Sequence, residues 1–487
     1  YDPLSYRNTM GEVNFGFNYD LNDENSIGAS YDLECEPYAK GHVDGQQEIF
    51  NEGQPVDIIK QKVLVDDIGG PTHELNAYYV GKVNKLGVDF NGTYLWQKTG
   101  RDMLETEEAT VLENREIHTA SRRHNQLLAG KLVLSYPIAK GQLELGSEVS
   151  HTHSSGEYSN AEGIVADAST DMKEDNLAGF LAFSYPLGSF SMDAGLRYEY
   201  VSAKYYSFGK YEEEPSRNYS NWFPNLTLSW NKEPWAASLA YTCKTKRPSY
   251  SSLRNEVQYD NRYMYEGGDP YLRPTIAHDV SLDVMCNWIS FGVEYLYEDN
   301  PIIWYATLYK HQDIAFLRNM NFSSKQTMTA YVIAAPKFDW YQPTWQVFFQ
   351  KPFFDAEKYG APCGLSKPAL GITWNNKFKL SSTWTSWVTL HANTTSYNAF
   401  RRYRSGYFAS MRMVKTFFDE ALTVNFYADD IFRSQKDQWT MYGDHATLTK
   451  DSYNSAREIG VRVVYKFNSG HRKYKGSGAG NAEKSRF

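Results

Sequence analysis

The sequence has only four cysteines in 487 residues, Cys35, Cys243, Cys286 and Cys363, and no CxxC pair. That excludes a disulfide scaffold and a thiolate metal site, and leaves them as small apolar side chains on strands. It has no apolar run approaching the roughly 18 residues that a transmembrane helix needs, which says nothing of membrane strands. It has no basic excess: 50 Lys and Arg against 58 Asp and Glu give a net charge of -8, the wrong sign for a nucleic-acid partner. GxSxG, HExxH and GxxxxGK[ST] are all missing, so the sequence gives no support for an enzyme and implies no cofactor. A signal peptide is missing too, and the chain opens at Tyr1-Asp2 without Met, as a processed or truncated product would.

What the chain has is aromatics and alternation. Aromatic residues make up 16%, with 38 Tyr, and turn signals recur evenly with no linker-like break. One large β architecture over residues 1–467 is the simplest reading. In residues 190–200, Phe190, Met192, Ala194, Leu196, Tyr198 and Tyr200 share one parity, while Ser191, Asp193, Gly195, Arg197 and Glu199 share the other. Successive strand side chains point to opposite faces, so this segment has one apolar and one strongly polar face. The pattern recurs at Leu143, Leu145 and Val149 against Gln142, Glu144 and Glu148, and again at 226–230, 235–242, 289–297 and 458–467.

Three features separate a membrane barrel from a soluble sandwich. Charged residues stand near mid-strand on the polar parity, as on strands lining a wet lumen. Aromatics gather at the ends of the apolar parity (Tyr136, Tyr185, Trp230, Trp235, Trp288, Phe467), where lipid meets water. Connectors alternate short (21–24, 137–141, 186–189, 231–234, 287, 375–377) and long (97–117, 154–175, 207–219, 247–274, 351–367). Periplasmic turns are short and extracellular loops long. The expectation is an all-β, large antiparallel transmembrane β-barrel of about 20–22 strands in the bacterial outer membrane, with lipid around it. The strand 10–19 leads into a short turn, so a first strand is expected before it.

On this reading Glu144, Glu148, Asp193, Arg197 and Glu199 face the lumen, as a solvated wall or as contacts to a plug. His151 and His153 share a strand face, but their parity is the lipid one near the rim, so no metal site is assigned. The acidic runs at 105–108 and 212–214 read as solvated loop faces. The segment 247–274 is an extracellular loop whose Pro and Gly residues prevent strand pairing. Its Arg247, Tyr250, Arg254, Tyr259, Arg262, Tyr263 and Tyr265 suit polar, stacking contacts with a ligand. After Phe467, the basic, Gly-rich tail 468–487 reads as a short periplasmic extension with little structure of its own.

The stretch Arg247-Pro248-Ser249-Tyr250, followed by Gly268-Asp269-Pro270-Tyr271-Leu272-Arg273-Pro274, resembles the most characteristic segment of an outer-membrane β-barrel family of Bacteroidota. Residues 134–150, 194–201 and 223–230 are similar to further stretches of that family. Asp269 stands where the family has Asn, and Leu253-Arg254-Asn255-Glu256 where it has Leu-Asn-Pro-Phe, so the loop's detailed shape departs from the pattern. Family members resemble the barrels of TonB-dependent receptors. The resemblance implies solute transport through a plug-gated lumen, coupling to TonB, and an N-terminal plug that this chain lacks. The alternative is a barrel that transports nothing and serves as scaffold for a surface lipoprotein or another outer-membrane protein. An open porin is a third reading.

Overall fold

The computed structural model describes residues 5–444, 446–453, 456–467 and 475–487. Nineteen strands form one antiparallel sheet, each paired with the next wall strand along the chain, from Ser5–Asn22 to Glu458–Tyr465. These two are the edges of the sheet among the described residues. Eight further strands leave the wall and form two small four-stranded sheets in the connectors. Among the described residues the wall holds nineteen strands, against the expected 20–22.

Register carries the alternation around the wall. Leu134 opposes Leu145, Leu145 opposes Leu181, and Leu181 opposes Leu196, a continuous apolar row over four strands. Leu145 is 56% exposed and Leu181 48%, while Glu199 on the other parity is only 9% exposed. Apolar outside and charged inside is the inverse of a water-soluble fold. It is stable only where hydrocarbon covers the outer face. Tyr136, Trp235 and Trp288 lie exposed beside turns, as the girdle positions require.

At one end the strands join through two-residue turns, as between Gly141–Asn160 and the strand Arg115–Ile138 before it. Gly188 (φ 66°) and Asn287 (φ 50°) take the left-handed conformation that such tight turns demand. At the other end, three expected loops are corrected. Leu86–Ala109 and Arg115–Ile138 run through most of 97–117, Gly141–Asn160 and Ala168–Leu187 through much of 154–175, and Phe190–Ser207 turns within two residues into Lys210–Lys232. About 9–11 residues cross the hydrocarbon, so these strands continue pairing beyond it as ribbons with polar residues on both faces, the inner one buried at Glu105, Glu107, Asn160 and Thr170, which masks the two-residue period.

The segments 247–274 and 351–367 remain largely irregular connectors. Val257–Asn261 and Met264–Gly267 form a hairpin, and Met264–Gly267 pairs in parallel with Ala315–Asn321. Tyr305, Phe322, Phe354, Phe400 and Met441, drawn from four connectors, bury one another in a separate apolar cluster. The long connectors therefore brace one another.

The segment 475–487 corrects the expectation of an unstructured extension. It lies against the interior parity of the wall, its contacts passing from Asp20 near a short turn to Pro248 in the long connector. Carboxylates on that parity supply the partners that its cations need. Residues 468–474 of the expected tail lie outside the described residues.

Candidate functional site: the barrel interior

Strand pairing stops at Lys246, because Pro248 has no N–H for a ladder and restricts the residue before it. From there the chain turns inward rather than out. Tyr250, Arg254, Tyr259, Arg262 and Tyr265 are all no more than 4% exposed. Turns at 249–252 and a hydrogen bond from Asp269 N to Ser252 O (2.7 Å) fold the connector on itself. Gly268 is required where the two halves cross: a Cβ there would lie 2.2 Å from the Arg254 carbonyl oxygen. Gly268→Ala should therefore loosen the connector by about 1–3 kcal/mol, read as faster proteolysis of 247–274 with the wall intact. An unchanged rate would contradict this geometry.

Two clusters result. In the first, Arg247 donates to Glu199 on the wall and to Glu483 Oε1 (2.7 Å) on the inserted segment. Arg197 bridges Glu199 (2.6 Å) and Glu148 (3.0 Å), and Glu148 Oε1 accepts the Gly480 N–H (3.1 Å). Glu174 accepts Arg486 (Nη2, 3.2 Å) and the Tyr250 hydroxyl (3.3 Å). The Arg486 guanidinium lies 4.2 Å from the Tyr250 ring centroid, and Phe487 stacks on the same tyrosine at 5.4 Å. A cavity of only about 40 Å³ remains beside Tyr250 and Arg486.

The second cluster lies toward the far ends of the wall strands. Arg262, 4% exposed, donates through Nε to Glu107 Oε2 (2.9 Å) and through Nη2 to Glu113 O (2.7 Å). The Tyr263 hydroxyl reaches Asp57 (3.2 Å), while Tyr259 packs on Tyr265 at 5.5 Å and its N–H meets the Tyr158 hydroxyl. Arg254 sits against Gly156, with Nε and Nη1 lacking acceptors among the described residues. Burial first, then the Arg123 charge, pushes its guanidinium down to about 10.

Asp260, in the hairpin between these tyrosines, is pushed up to about 7 by burial, then by Glu266 and Glu107. Between its free value of 3.8 and about 7 the folded connector holds a proton that the unfolded one releases. Its stability therefore falls as pH rises through that window. Amide exchange over 257–267, corrected for intrinsic rates, should show more protection near pH 5.5 than near pH 8. Equal protection would contradict it.

The structure thus brings Arg247 and Tyr250 together with Glu148, Arg197 and Glu199, and gathers Tyr259, Arg262, Tyr263 and Tyr265 elsewhere. Arg254 belongs to neither cluster. Glu144, hydrogen-bonded to Gln142 (2.8 Å), and exposed Asp193 stand nearer the short turns, away from both. His151 and His153 pair with Asp175 (2.7 Å) and Asp171 (2.6 Å) respectively. Sequence reading missed Glu74, Glu174, Asn176 and the inserted segment, and its solvated face at 105–108 is corrected, since Glu105 and Glu107 are buried against the connector. The signal for Glu174 and Asn176 was present: Thr170, Met172, Glu174, Asn176 and Ala178 share one buried parity of a strand.

A nineteen-stranded wall among the described residues, with an apolar exterior, a charged interior and inward-folded connectors, defines a large outer-membrane β-barrel. Residues 81–465 match the outer membrane protein beta-barrel family, and the chain belongs to that family. No curated protein matches. Among solved structures, the copper transporter OprC is similar with a TM-score of 0.55 at 10% identity, covering 96% of this chain and 81% of that one. The siderophore receptor PiuA from Acinetobacter baumannii gives 0.54 at 8% identity, with 94% and 80% covered. The FrpB iron transporter from Neisseria meningitidis (F5-1 variant) gives 0.53 at 12%, with 96% and 83% covered. The shared fold is the barrel of TonB-dependent receptors, and the location is the bacterial outer membrane.

Proposed function

We propose that the protein is the barrel of an outer-membrane transporter that captures a polar solute at its extracellular connectors and passes it through a gated lumen. The observation that carries this reading is the inward fold of 247–274, which puts arginine and tyrosine side chains across the route of passage. Arg247, Tyr250, Arg254, Tyr259, Arg262, Tyr263 and Tyr265 are the proposed contacts along that route. Gating by a plug and coupling to TonB belong to the reading through the family resemblance. A metal chelate is the solute class to test first, because the fold neighbours named above are copper, iron and siderophore proteins. Deleting the gene should slow growth or uptake on one member of a panel of ferric and cupric chelates, with restoration by the intact gene. Unchanged uptake across chelates, glycans and peptides would overturn it.

One observation favours the scaffold reading: the interior is occupied by the chain's own segment. A stoichiometric lipoprotein or other outer-membrane partner in detergent pull-downs, without any solute phenotype, would decide for it.

A further inference from the structure

The segment 475–487 is held far too specifically for a chain end that happens to collapse inward. Lys475 Nζ meets Asp20 (2.9 Å) and Ser26 (2.7 Å). Its backbone is then read by the wall: Ser477 N–H donates to Asn91 Oδ1 and Ala479 N–H to Thr93 Oγ1, each at 2.9 Å. Gly480 must be glycine for two reasons. Its φ is +67°, and a Cβ would lie 2.7 Å from that of Ala129. A short helix, Asn481–Lys484, then aims its side chains at separate partners. Glu483 takes Asn176 (2.8 Å) and Arg247 (2.7 Å), and Lys484 takes Glu74 (2.7 Å). Arg486 donates from Nε to the Pro248 carbonyl (3.0 Å) and pairs with Glu174, and its own carbonyl accepts the Tyr250 N–H (3.0 Å).

Backbone recognition, a glycine-only crossing and four separately matched charges are the features of a peptide-binding groove. We propose that the inner wall between Asp20 and Glu199, completed by 247–250, is a binding site for a short peptide. Segment 475–487 fills it in cis and thereby latches the lumen shut. The ligand class is a peptide carrying a glycine, then a carboxylate followed at once by a cation, with a second cation and an aromatic ring just beyond. Arg247 is the hinge of the latch, because its guanidinium grips both wall and segment, with Tyr250 beside it bridging Glu174 and the Arg486 carbonyl. Release of Glu483 together with Arg486 leaves Arg247 and Tyr250 held by the wall only, so the connector loosens as the segment departs. The inference rests on the barrel fold and not on transport, and its test needs no solute.

The test uses the intact chain in detergent, with folding scored by the heat-dependent mobility shift of barrels. Trypsin should cut after Lys475, Lys484 and Arg486 at least about 100-fold more slowly in the folded chain than in the heated one. Gly480→Val and Glu174→Gln should each raise cutting at those sites about tenfold while the mobility shift persists. A fluorescent synthetic peptide of sequence 475–487 should bind the folded Gly480→Val protein saturably, and the unaltered protein hardly at all. Equal cutting in folded and heated chains would overturn the proposal, as would failure of the peptide to bind a folded Gly480→Val protein. If that variant does not fold, Glu174→Gln and the intact chain decide by the same cutting rates.

Discussion

Replacing Arg262 by alanine is expected to unlatch the long connector from the wall at a cost of about 3–5 kcal/mol. The side chain is 2% exposed and its partner Glu107 is fully buried, with a 2.9 Å bond between them. Removing the cation leaves a fully buried carboxylate supported by the backbone N–H of residue 262 and the charge of Arg115, and also strands the Glu113 carbonyl that the other nitrogen serves. Alanine at Glu107 should cost a similar amount for the mirror-image reason. Replacing both partners by leucine and methionine together should cost much less than the sum, because no orphan charge remains. Amide exchange over 257–267 reads the loss. Additive single effects in that cycle would show that the pair is not coupled.

Leu181→Arg has the second largest expected effect, about 2–4 kcal/mol near the bilayer midplane, measured by reversible folding into lipid vesicles. Leu181 sits in the apolar row between Leu145 and Leu196. A guanidinium there faces acyl chains with no interior partner. The charged interior parity shows the contrast, since Arg197 finds two carboxylates only one position from Leu196. A cost near zero would mean that the row is not in hydrocarbon.

The wall was legible in the sequence where one face meets lipid and the other meets charge, as in Phe190–Ser207. There the solvent difference writes a two-residue period into the chain. It was not legible where a strand carries polar residues on both faces, as in the outer half of Leu86–Ala109, where Glu105 and Glu107 are buried against the connector rather than against lipid and the period vanishes. The loop 247–274 declared itself through its Pro, Gly, Tyr and Arg, but not its direction, which depends on meeting Glu107 and Glu199 on distant strands and Glu483 on the inserted helix. The segment 475–487 was least legible. Its composition is that of a solvated tail, and its fixed place comes from partners as far away as 455 residues, Lys475 with Asp20. Local pattern holds no trace of such pairing. Glu174 was hidden for a different reason: it fell within the expected loop 154–175, although its neighbours at 170, 172, 176 and 178 give it a strand face.

The central claim is that one parity of each wall strand touches lipid while the other lines an enclosed interior. The direct measurement is fluorescence of an environment-sensitive probe attached to single cysteines introduced at successive positions of 143–150, in a chain without its four native cysteines, reconstituted with nitroxide-bearing lipid. Quenching should be strong at 143, 145, 147 and 149 and weak at 144, 146, 148 and 150, alternating through the whole stretch. Uniform quenching, or none at any position, would contradict the barrel.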